Sequence, residues 1–182
     1  FYQCIKSDPE HVNVFGKFRK KNDPVFAADQ RSKYFKYQGV GLDVFSLEKS
    51  NRFAAHMAKF LYQNLIHPTQ YIKSRFWRHF AIKSVQLLNF GLLIPLCRLI
   101  GHINHKGQYR YKLGSGFYQC GFSAEDILPL RTMEFEGIEF PVPGNTDAYL
   151  TKIYGDWRKL PSEEQIRKTM HYPLYIKEIF GE

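Results

Sequence analysis

Asp43 stands among apolar neighbours in the run GLDVFSLE. An ionised carboxylate there must be hydrogen-bonded, ion-paired, metal-bound or at a solvated strand end. Acids placed this way hold divalent ions in phosphoryl-transfer sites, where the metal bridges phosphate oxygens. A structural Asp at the end of a strand is the competing reading. Glu134 and Glu136 flank Phe135. On an alternating strand both would share one face, where they bind a cation or an acceptor, or simply face water. Cys97, His102, His105 and Cys120 are four potential zinc ligands. Their spacing matches no common zinc module, so core cysteines and surface histidines are the favoured assignment.

These residues need elements to hold them. Residues 1–38 are polar and broken by Pro9, Gly16 and Pro24, which predicts strands and loops. Tyr37 to Leu47 carries β-branched and aromatic residues around Asp43 and predicts a short buried strand. From Leu47 the period becomes helical through Phe53, Met57, Phe60, Leu61 and Leu65, with Pro68 as the stop. A second helix is expected from Thr69 to Phe90. The run GLLIPLCRLI, joined to LLNF and interrupted by Pro95, is too short to span a bilayer and predicts a buried helix. An interfacial helix on anionic lipid is the alternative. KGQYRYKLGSGFYQCGF predicts a hairpin, and MEFEGIEFPVP a half-buried one around Gly137. Asn145 or Thr146 caps a following helix, and Ser162 with Gln165 starts a last one.

The chain has 182 residues, 44% hydrophobic and 24% charged, and suits one globular domain spanning 1–182. Its net charge of +9 favours polyanionic partners: nucleic acid, an anionic membrane face or phosphate-bearing substrates. The charges are scattered and no nucleic-acid module is present, so nucleic acid is not expected as a partner. Three widely spaced cysteines are no disulfide framework and fit a reduced, cytoplasmic protein. Nothing in FYQCIKSDPE reads as a signal peptide.

Three blocks carry a resemblance: FGKFRKKNDPVF, GVGLDVFSLE, and ILPLRTMEFEGIEFPVPGNTDAYLTKIYGDWRKLPSEEQ, with His171 beyond them. In order and spacing, from Lys17 to His171, they are similar to the LicD family, which includes the fukutin-related proteins. Ser46, Glu48 and Ser162 depart from the family pattern at positions that tolerate it. The family's DDDID-type acidic motif is not among these residues. The resemblance therefore implies a domain truncated at its N-terminus, with that motif before Phe1, or a gene that has lost it.

The resemblance implies an α+β fold, a partial nucleotidyltransferase-like mixed sheet packed with several helices. It implies transfer of a phosphocholine- or phosphopolyol-like group from a CDP-activated donor, a nucleotide diphosphate, to a surface glycan such as lipopolysaccharide, teichoic acid or capsule. Mg²⁺ or Mn²⁺ would serve as cofactor. Asp43 would be the third metal-binding carboxylate, and Lys17 and Arg19 would contact donor phosphates unless they are a solvated strand edge. Glu134, Glu136, Asp147, Tyr154 and Asp156 are signature positions for substrate, with helix-end packing as the alternative for the Tyr154–Asp156 turn. His171 would touch a donor phosphate or act as general base, unless it is a surface histidine. The expected place is the cytoplasm, at the inner face of the membrane, with peripheral membrane association. These 182 residues alone are expected to be inactive. The alternatives are a catalytically inactive binding or scaffold remnant and a basic membrane-surface protein.

Overall fold

The computed structural model describes residues 1–22, 25–27, 34–115, 119–169 and 174–176. In chain order the elements are β1 (Tyr2–Gln3), β2 (Gly16–Arg19), β3 (Val25–Ala27), β4 (Gly41–Val44), β5 (Leu47–Lys49), α1 (Arg52–Leu61), α2 (Arg75–Leu88), α3 (Ile94–His102), β6 (Tyr109–Tyr111), α4 (Ala124–Ile127), β7 (Arg131–Phe135), β8 (Ile138–Val142), α5 (Thr146–Tyr154), α6 (Glu163–Thr169) and β9 (Leu174–Ile176). The class is α+β. Every pairing among the described strands is antiparallel, and they form small sheets: β1–β2–β4, β3–β9, β5–β6 and β7–β8. One mixed sheet, as expected from the sequence, is not what these strands make.

The helices diverge from expectation at both prolines. α1 does not stop at Pro68; it loosens into a π-helical turn at Tyr62–Ile66 and tightens into a 3₁₀ turn at His67–Tyr71. Pro68 is tolerated because it lies in the first turn of that 3₁₀ segment, where its missing N–H is not needed. Pro95 likewise enters α3 just after a second π-helical turn, Asn89–Leu93. α2, the wide turn and α3 thus form one helix, Arg75–His102, of 28 residues. By length and composition it is apolar enough to cross a bilayer, and only 22% of its most apolar 18 residues are buried. The expected buried helix is therefore mostly exposed, and longer than the apolar run alone suggested.

Asn51 explains how α1 and α3 meet. Its Oδ1 accepts from Ala54 N at 2.8 Å and caps α1, while its Nδ2 donates to Ile100 O and Ile103 O at 2.7 and 2.8 Å. One side chain satisfies orphan groups at the start of one helix and the end of the other. The pair packs antiparallel through Ala54, Ala55, Ala58, Ile94 and Cys97, with Leu113 beneath. A second cluster joins Val12, Tyr62, Ile66 and Ile82, and Phe90 in the wide turn touches both. Each fully buried isoleucine here contributes about 1.5–3 kcal/mol relative to exposure.

The C-terminal elements are held differently. The Ser123 side chain and Asp126 form a reciprocal capping box on α4, and the Asp126 carboxylate also accepts from Lys152 Nζ on α5. Tyr149 stacks on Phe122 at 4.6 Å, and its hydroxyl meets that of Tyr111 at 3.0 Å. Asn145 caps α5, and Ser162 with Gln165 caps α6, as the sequence predicted.

Candidate functional site

Alternation along β2 and β4 places one group of side chains together. The register pairs Lys17 with Asp43, Phe18 with Leu42 and Arg19 with Gly41. Lys17, Arg19 and Asp43 therefore share one face, and Phe18 and Leu42 the other. Lys17 Nζ lies 2.9 Å from Asp43 Oδ1 and above the Phe15 ring. Asp43 keeps 33% of its side chain exposed, so the expected buried strand is an open one. Arg19 donates from Nε to Gln3 Oε1 at 2.9 Å and from Nη1 to Gly39 O at 2.6 Å. Gln3 is buried and donates to Asp8 Oδ2 at 2.6 Å; Asp8 also accepts the backbone N–H groups of Glu10 and Lys36. The guanidinium is thus oriented by a buried polar chain, and the Lys17–Asp43 pair beside it is half-buried, while the opposite face, with Phe18 and Leu42, is the exposed one. Such an arrangement can seat an anion beside a carboxylate.

It does not by itself make a divalent-cation site. Asp43 Oδ1 is already engaged by Lys17, and no group of three His, Cys, Asp or Glu side chains gathers among the described residues. Mg²⁺ demands several oxygen ligands in near-octahedral array. Cys97 is buried in the α1–α3 seam, where burial raises its thiol pKa. The His102 and His105 rings meet edge-to-face at 6.4 Å, and burial likewise raises Cys120. The zinc constellation considered from the sequence does not assemble.

The signature residues further along are exposed. β7 and β8 form the expected hairpin, but its strands face solvent on both sides rather than one. Glu136 and Gly137 are the two turn residues, at φ 52° and 77°, the left-handed pair a two-residue hairpin requires. Glu136 is therefore off the strand, and Glu134 shares its face with the opposing Glu139 instead. Asp147 accepts from Trp157 Nε1 at 3.1 Å and from Arg158 Nη1 at 2.6 Å. Tyr154 ends α5, Gly155 closes it at φ 73°, and Asp156 lies in the turn that follows. Glu134, Glu136, Asp147 and Asp156 make no hydrogen bond or ion pair to Lys17, Arg19 or Asp43. His171 lies outside the described residues.

Sequence patterning missed the largest fully buried side chain, which is charged. Arg78, 1% exposed, forks onto Glu10 through Nε and Nη2 at 2.9–3.2 Å, and its Nη1 donates to Ile72 O at 2.8 Å. His79 Nε2 approaches the same carboxylate at 2.7 Å. The signal was its spacing: Arg78, Ile82, Val85 and Asn89 recur at helical intervals and form the inward stripe. No family model, no curated protein and no solved structure matches the chain.

Proposed function

We propose that this chain is a LicD-like transferase domain. It would move a phosphocholine- or phosphopolyol-like group from a CDP-activated donor to a hydroxyl of a cell-surface glycan, in the cytoplasm at the inner face of the membrane. The observation that supports it is the register placing Lys17 opposite Asp43, with Arg19 on the same face. In the transfer, the glycan oxygen forms a new bond to the donor's outer phosphorus, the pyrophosphate P–O bond breaks, CMP leaves and the hydroxyl proton is released. Lys17 and Arg19 would offset phosphate charge, which is most of what a protein supplies to this reaction. The β1–β2–β4 sheet would be part of a nucleotidyltransferase-like sheet. Mg²⁺ or Mn²⁺ would neutralise the pyrophosphate, with Asp43 one of its ligands, although the described residues do not complete such a site.

Titration with CDP-choline and CDP-ribitol tests donor recognition directly. Lys17→Ala and Arg19→Ala are each expected to weaken binding about tenfold or more, the loss typical of a charged hydrogen bond. On the full-length gene product, CMP release is expected to need Mg²⁺ or Mn²⁺ and to vanish in Asp43→Asn. Undiminished turnover by that variant removes Asp43 from the mechanism. A second reading, a binding protein without catalysis, is favoured because no group of three His, Cys, Asp or Glu side chains gathers among the described residues. Donor binding by the full-length product without CMP release would select it.

A further inference from the structure

The helix Arg75–His102 is inverted. Its inward stripe is half polar: Arg78 at 1% exposure, Asn89 at 0%, with Ile82 and Val85 between them. Neither amide atom of Asn89 has a hydrogen-bond partner among the described residues. Its outward face carries Phe76, 71% exposed, Trp77, Phe80, Leu87, 78% exposed, Leu88 and Leu92. Past the wide turn it continues through Leu96, Leu99 and Ile103, while Ile94, Cys97 and Gly101 face inward. α1 repeats the arrangement, burying Ala54, Ala55 and Ala58 and exposing Phe53, Met57 and Phe60. Small or polar residues inside and large apolar ones outside is the order for a helix whose outer solvent is lipid, not water.

Charge names the kind of lipid. Between Lys49 and Ala124 there are eleven Lys and Arg and no Asp or Glu, whereas the other residues carry fifteen against seventeen. Lys73 and Arg75 stand at one end of the outward face, Lys83 lies on it between Phe80 and Leu87, and Lys106 lies beyond the other end. No acidic side chain pairs with any of these four among the described residues. The helix is tied down along its whole length, by Arg78 to Glu10, by Arg98 Nε to Glu48 at 3.1 Å and by Gly101 against Ser50. Crossing a bilayer would strip away those ties; lying in its plane keeps them.

We propose that the outward face of Arg75–His102, with its flanking cations, docks this protein flat onto an anionic lipid bilayer. The chain has two tryptophans, so Trp157→Phe leaves Trp77 as the sole reporter. With vesicles of phosphatidylcholine plus phosphatidylglycerol, that protein is expected to co-sediment, to blue-shift and to be quenched by brominated lipid. Added salt should weaken association. Leu87→Asp with Leu88→Asp should reduce binding by roughly tenfold or more, as the transfer free energy of one buried leucine implies. Both side chains are exposed, so the circular dichroism melt should not move. Lys73→Glu with Lys83→Glu, which touches no apolar residue, should reduce binding to anionic vesicles independently. Equal binding to pure phosphatidylcholine overturns the proposal, as does association that leaves Trp77 unquenched. So does a self-associated or protein-bound species that covers this face while vesicles are ignored.

Discussion

Glu10 and Arg78 are separated by 68 residues and nearly excluded from water, whereas Lys17 and Asp43 form a half-buried pair on a sheet face. The two pairs should respond oppositely to substitution. Glu10→Ala leaves a buried guanidinium with no counter-charge, held only by carbonyls and the Tyr34 ring, an expected loss of about 3–5 kcal/mol measured by urea unfolding. Asp43→Asn should cost less, about 1 kcal/mol, because a half-buried pair is still partly screened by water and pays side-chain entropy. A large loss of stability in Asp43→Asn would mean that its role is structural. Asp43 and its strand were legible from residue type and spacing; its pairing with Lys17 was not, because register depends on which strands meet. Arg78 looked like one scattered surface charge, since no local pattern reveals a counter-ion so distant in the chain.

At the scale of elements, the α1–α3 seam depends on small residues. A Cβ at Gly101 would lie 2.9 Å from Ser50 Oγ and 3.3 Å from Ala54 Cβ. Gly101→Ala is therefore expected to destabilise by about 1–3 kcal/mol through overpacking, read as a lowered melting temperature, despite alanine's better helix propensity. A gain in stability would show that the seam opens easily. Capping chemistry was readable because Asn145, Ser162 and Gln165 act within one turn. The β7–β8 hairpin was readable for the same local reason, through alternation about Gly137. The continuity of Arg75–His102 was not, because Pro95 is a breaker only where its N–H is wanted.

For the whole molecule, acid should act through buried groups in two ranges. His11 is buried, with Nε2 donating to Phe15 O at 2.8 Å, and burial holds its pKa below the ordinary 6.5 despite that hydrogen bond. The unfolded chain takes up a proton near that value and the folded chain does not. Stability is thus whole above about pH 6.5 and declines as pH falls below it. Burial raises the Asp126 pKa, but Lys152 and Ser123 outweigh that and hold it below the usual 3.8. Its contribution is present above about pH 4 and is lost as pH falls through its lower folded pKa. Melting temperatures from about pH 7.5 to about pH 5.5 should fall, and fall less in His11→Gln; identical slopes would exclude His11. The overall orientation of the long helix was the least legible feature. Periodicity locates two faces, and the rule that apolar side chains turn inward selects the wrong one here.

The wide turn at Asn89–Leu93 bears on which lengths this chain tolerates. It sets the phase between two inward stripes, one ending at Asn89 and one beginning at Ile94. Deleting Gly91 would restore ordinary helix and leave the two halves in phase, because the wide turn accommodates one extra residue and without it Asn89 and Ile94 would stand four apart on one α-helical stripe. Losing a second residue there has no wide turn left to absorb it and would rotate one half by roughly 100°, the angle of a single residue, turning either Arg78 or the alanine-facing side of α3 to the outside. Lineages of this protein are therefore free to lose one residue between Asn89 and Ile94, but a two-residue gap there should be rare unless the contacts of one half change with it.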